Sequence, residues 1–164
     1  MTGERVIAFE RQIRIYIAGS SAELGRCERA HAYALSIGLP STLDWTGSIR
    51  NALAAGLREH ELPYEERSRL SRADLDAVLR ADALVLLAPE KGSQSRGCWV
   101  ELGFAICLAM LHRGGYELPK KPIFIIRTPE TAYESLFEVE GTQVLANNDR
   151  HGFDLVLGLL RGAP

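Results

Sequence analysis

Leu84-Val85-Leu86-Leu87-Ala88 is apolar at every position. A strand with one wet face alternates apolar and polar side chains, whereas a strand covered on both faces does not. Pro122 to Ile126 repeats the pattern, and Ile13 to Ala18 is a third β-branched and aromatic run, closed by Gly19-Ser20-Ser21. Three such strands cannot stand in water. They need helices on both sides, and the intervening segments supply them with apolar residues at helical spacing.

Ala22 to Ile37 places Cys27, Ala30, Ala34 and Leu35 on one stripe before Gly38. Ser48 to His60 carries Ile49, Leu53 and Leu57 at i, i+4 and i+8. Leu62 to Arg69 is charged, contains Pro63 and reads as a loop. Ser71 to Arg80 and Val100 to His112 are two more helices, and Gly152 to Leu160 a closing one. Short strands are expected within 39–45, ending near Asp44-Trp45, and at Gln143 to Leu145. Strand–helix alternation then predicts a single α/β domain. It is a five-stranded, mainly parallel sheet in a Rossmann- or flavodoxin-like three-layer sandwich, spanning 13–164 after an N-terminal extension, 1–12, that is expected to fray.

Composition narrows the function classes. The chain has 164 residues, one domain's worth, and a formal net charge of −2. That balance recommends neither a nucleic-acid nor a membrane surface. No apolar run approaches the roughly 20 residues that span a bilayer. The acidic N-terminus lacks the apolar core of a signal peptide. Cys27, Cys98 and Cys107 form no CxxC pair, which suits a reducing cytoplasm. His31, His60, His112 and His151 are scattered and predict no metal site.

The chemistry concentrates in Ser95-Arg-Gly97-Cys98-Trp99-Val-Glu101-Leu102-Gly103. It follows the buried strand 84–88 and leads into an apolar helix. Glu101 therefore sits near the C-terminal edge of a parallel sheet, where open α/β folds bind ligands. Two other segments should meet it there. Tyr16-Ile17-Ala18-Gly19-Ser20-Ser21 offers backbone N–H groups and hydroxyls to an anion. Asp74 to Asp82 brings further carboxylates. Each feature also has a purely structural reading. Ser20 is a helix cap, Asp74 forms a capping box with Ser71, Glu101 complements a helix dipole, and Trp99 is core.

Taken together, Tyr16-x-x-Gly19-Ser20, Asp74-Leu75 with Asp82, and Ser95-x-Gly97-x-x-x-Glu101-Leu102-Gly103-x-Ala105 resemble the nucleoside 2-deoxyribosyltransferase family. The likeness is to its branch of nucleoside 5′-monophosphate N-glycosidases, over residues 13 to about 126. The resemblance implies that Glu101 is the nucleophile attacking the anomeric carbon, that Tyr16 orients it, and that Asp74 protonates the departing base. Gly19, Ser20, Ser21, Asp44, Trp45, Ser95, Gly97 and Trp99 would line the substrate site, with Trp45 or Trp99 stacking on the base. Ser95, where relatives acting on free nucleosides tend to carry Asp, would admit a 5′-phosphate. No cofactor is implied, the partner is a nucleoside or nucleotide, and a homodimer or higher homo-oligomer is expected. The helix N-terminus should keep Glu101 ionised, and a partly apolar site should hold Asp74 protonated.

Ser95-Arg-x-Cys98-x-x-Glu101-Leu102 is also similar to an element of TIR domains, some of which cleave the nicotinamide–ribose bond of NAD with that Glu. A third possibility is a nucleotide-binding module without turnover. Both enzyme readings make Glu101 act on an N-glycosidic bond.

Overall fold

The computed structural model describes residues 11–93, 96–132 and 136–162. Its sheet has four strands, β1 (Ile15–Ala18), β2 (Ala83–Leu87), β3 (Ile123–Arg127) and β4 (Thr142–Leu145), in the order β1-β2-β3-β4. Every pairing is parallel. All residues of β1, β2 and β3 are buried, as continuous apolar runs require, while edge strand β4 buries only Val144.

The expected five-stranded sheet is corrected to four. The segment 39–45 touches β1 through one isolated bridge, Ile15 with Ser41. Pro40 has no N–H to extend the ladder, and Thr42 turns its hydroxyl to the Ala77 carbonyl at 2.9 Å. Asp44 then receives the Thr46 N–H at 3.1 Å and starts the next helix, so no length is left for a strand.

Among the described residues, five α-helices cover the sheet: α1 (Leu24–Ser36), α2 (Thr46–Ala54), α3 (Tyr64–Arg80), α4 (Gly97–Arg113) and α5 (Asp149–Leu160). α1 packs with α2 and α5, and α3 packs with α4. The charged stretch read as a loop from Leu62 to Arg69 is largely the first half of α3. Pro63 precedes its first turn, and Glu65 and Glu66 lie in that turn, where acids complement the dipole. Conversely, α2 stops at Ala54, and Glu59–Glu61 forms a short 3-10 turn. Residues 1–10 of the expected N-terminal extension lie outside the described residues; Arg11 donates to Asp82 at 2.6 Å.

Two buried cations tie the layers. Lys121, 4% exposed, donates through Nζ to the carbonyls of Val78, Leu79 and Ala81, satisfying the open C-terminal end of α3. Arg26 holds both Asp149 oxygens at 2.8 Å, the Ala88 carbonyl at 2.9 Å and Glu23 at 2.5 Å. It thereby joins α1, the end of β2 and the start of α5. Arg26→Met is expected to cost about 3–5 kcal/mol, because Glu23 and Asp149 are left as partly buried, unpaired charges. A urea melt checks this; an unchanged midpoint would show that the cluster contributes nothing.

Candidate active site

Alternation along β1 decides what Tyr16 can reach. Ile15 and Ile17 face one helical layer, and Tyr16 faces the other, between α3 and α4. Its side chain is fully buried, and its hydroxyl meets two carboxyl groups. The Tyr16 hydroxyl lies 2.8 Å from Glu101 Oε1 on α4 and 3.2 Å from Asp74 Oδ1 on α3. The two carboxylate oxygens are therefore no more than about 6 Å apart, a limit that admits the roughly 5–5.5 Å of retaining glycosidases and falls short of the roughly 6.5–9.5 Å of inverting ones. Asp74 stands inside α3, ten residues past its start, so it caps nothing. Ser71, its supposed capping partner, donates to the Ser68 carbonyl instead.

One hydroxyl has one proton and cannot donate to two carboxylates at once. When Tyr16 donates to one of them, the other bonds to its oxygen as the protonated acid. Burial is the main cause of the resulting pKa shifts. It pushes Glu101 up to about 8, with the Tyr16 hydrogen bond opposing and the charges of Asp74 and Glu59 adding. It pushes Asp74 up to about 6, again opposed by Tyr16 and reinforced by Glu59. The Tyr16 hydroxyl is raised far above its usual range by burial and by both carboxylates, so it stays neutral.

This reverses the expected order, in which Glu101 is the ionised group and Asp74 the acid. Glu101 is the fifth residue of α4, beyond the first turn where a helix dipole acts strongly, so desolvation dominates.

A cavity of about 430 Å³ opens over this pair at the C-terminal end of β1. Gly19 and Ser21 form one wall, Gly97, Cys98 and Glu101 another, and Asp74 closes it from α3. Gly19 is required by packing. A Cβ there would lie 2.6 Å from Cys27 Sγ. Trp45 forms an apolar side with Leu43 and Ile49, and its indole N–H is fixed to the Ile17 carbonyl at 2.8 Å.

Other expected site residues are placed elsewhere. Ser20 is buried and accepts from the Ala22 N–H at 3.2 Å, its capping role. Asp44 accepts from the Thr46 N–H and hydroxyl in the turn that leads into α2, and Trp99 packs half-buried against the core; neither lines the cavity. Ser95 lies outside the described residues. Among the described residues, no group of three or more His, Cys, Asp or Glu could hold a metal ion. No helix among them is long and apolar enough to cross a membrane.

Sequence reasoning missed the outer wall, formed by Glu59, His60, Leu62, Arg67 and Leu70. The signal was present. Once α3 begins at Tyr64, Arg67, Leu70 and Asp74 fall at i, i+3 and i+7, on one face. Glu59 accepts from Ser21 Oγ at 3.1 Å, linking this wall to the turn after β1.

No family model, curated protein or solved structure matches the chain.

Proposed function

We propose that the chain cleaves N-glycosidic bonds of nucleosides or nucleotides through a glycosyl-enzyme on Glu101. The observation that carries this reading is the single Tyr16 hydroxyl bridging two half-buried carboxyl groups at the wall of a cavity with an aromatic side. One carboxylate must attack an electron-poor carbon while a second group protonates the leaving nitrogen. Two carboxyl groups at this separation suit that division of labour.

Between about pH 6 and 8 the pair holds one proton. The Tyr16 hydroxyl can relocate it. Glu101 donates its proton to the Tyr16 oxygen as the Tyr16 proton passes to Asp74. Glu101 is then a carboxylate and Asp74 an acid, and Tyr16 is unchanged. A substrate developing positive charge next to Glu101 favours this arrangement. The Glu101 oxygen bonds to the anomeric carbon as the C–N bond breaks. The bonding pair leaves on the base nitrogen, which takes the Asp74 proton. Water then attacks the anomeric carbon, gives its proton to Asp74, and releases Glu101 as carboxylate. Trp45, with Leu43 and Ile49, supplies an apolar wall for the base. Three cysteines without a CxxC pair fit a cytoplasmic setting.

Activity should follow a bell in pH, with limbs near 6 and 8. Below the first, both carboxyls are protonated and no nucleophile remains; above the second, the acid is lost. Tyr16→Phe removes the relay and should lower kcat by about a hundredfold or more, the range of general acid–base contributions, and move both limbs to higher pH, because its hydrogen bond lowers both carboxyl pKa values. A Phe variant with the wild-type profile would show that Tyr16 only packs. Chromatography of bases released from nucleosides, nucleoside monophosphates and NAD tests the reaction itself. Release from NAD alone would shift the reading to a NAD glycohydrolase.

A further inference from the structure

The cavity's lining is mixed: Asp74 and Glu101, both bonded to Tyr16, share it with Arg67 and with the apolar Trp45, Leu62 and Leu70. Arg67 and Asp74 share one face of α3, seven residues and so roughly 10 Å apart along the axis. Leu70 lies between them, and Leu62 and Trp45 line the same slot. The second arginine at the cavity, Arg69, is engaged by Glu66 through two hydrogen bonds, at 2.9 and 2.6 Å. No carboxylate pairs with Arg67 among the described residues.

We propose that Arg67 is a specificity-determining residue that recognises the far edge of the leaving base, selecting heterocycles that present hydrogen-bond acceptors there. The proposal rests on the glycosidase reading. Asp74, as the acid, faces the glycosidic nitrogen, so the base extends outward from Asp74 along α3. A flat heterocycle fills the apolar slot, and its distal edge then meets the guanidinium. That group offers five N–H donors and no acceptor. It pairs in bidentate fashion with an oxo group and the unprotonated ring nitrogen on the same edge, as O6 and N7 of an oxopurine, and it meets an exocyclic amine with donor against donor. Oxo-substituted purines are favoured over amino-substituted ones on this ground. A phosphate is the other group a guanidinium takes well, and it is the competing outcome of the test.

The test is calorimetric binding of hypoxanthine, adenine and inorganic phosphate to the intact protein, to Arg67→Met and to Glu101→Gln. Binding of a free base needs no turnover, so it separates this proposal from the catalytic one. Wild type should bind hypoxanthine about tenfold tighter than adenine, the scale of one bidentate contact. Arg67→Met should erase that preference while adenine binding changes less than threefold. Glu101→Gln should retain it. Equal binding of the two bases by wild type, a preference that survives Arg67→Met, or no binding of either base overturns the proposal. Phosphate binding that depends on Arg67 without a base preference reassigns Arg67 to a phosphoryl group. If the base preference holds and no N-glycoside is cleaved, the recognition stands and the enzyme reading falls.

Discussion

Glu101→Gln should lower the rate of base release by at least about a hundredfold with substrate affinity largely kept. The amide preserves the shape of the side chain and still accepts from Tyr16, so the wall of the cavity is undisturbed. It cannot carry the negative charge that stabilises an oxocarbenium-like carbon, and it is a poor nucleophile toward it. Removing one preorganised electrostatic partner of a transition state costs on the order of a hundredfold to a thousandfold, and losing the covalent route adds to this. The comparison is single-turnover release of base by wild type and variant at pH 7. Unchanged release would make Glu101 a buried structural acid.

The same substitution should have an opposite effect on stability, and that effect depends on pH. Glu101 is raised from 4.5 in the open chain to about 8 in the fold. Between those values the native state holds a proton that the unfolded state has lost. The stabilisation from the neutral, hydrogen-bonded acid is complete below about 4.5 and disappears as pH rises through 8. Above that, folding keeps a carboxylate in a desolvated site beside Asp74. A glutamine has no such penalty. Glu101→Gln should therefore melt close to wild type at pH 4.5 and exceed it at pH 9. The difference is about 2–4 kcal/mol at the upper end, or roughly 5–10 °C for a chain of this size. Parallel melting curves at both pH values would refute the cause assigned to the shift.

How much of this was legible in the sequence differs by element. β2 and β3 were readable because a run apolar at every position admits few placements. The segment 39–45 looked like another strand from its flanks, yet Pro40 and the Asp44 cap leave it a single bridge. The first half of α3 was hidden because it is mostly exposed, so no apolar stripe marked it. Pro63 followed by Glu65 and Glu66 was the available signal.

In the site, Tyr16, Asp74 and Glu101 were identifiable, and the fold brings their polar atoms together. Their order of acidity was not, because it depends on burial depth and on which residue of α4 carries the acid. Ser20 shows the converse: its side chain accepts from a backbone N–H, as the plainer reading of a cap allows. Asp44, expected only as a site residue, likewise serves the Thr46 N–H.

The most direct measurement is mass spectrometry of the intact protein quenched during turnover, followed by peptide mapping. We expect a mass increase equal to one glycosyl unit, or glycosyl phosphate, on the peptide containing Glu101. It should appear with wild type and an N-glycoside that releases its base, and be absent with Glu101→Gln. Base release at the wild-type rate by Glu101→Gln, or an adduct mapped to a different residue, would contradict a reaction carried by Glu101.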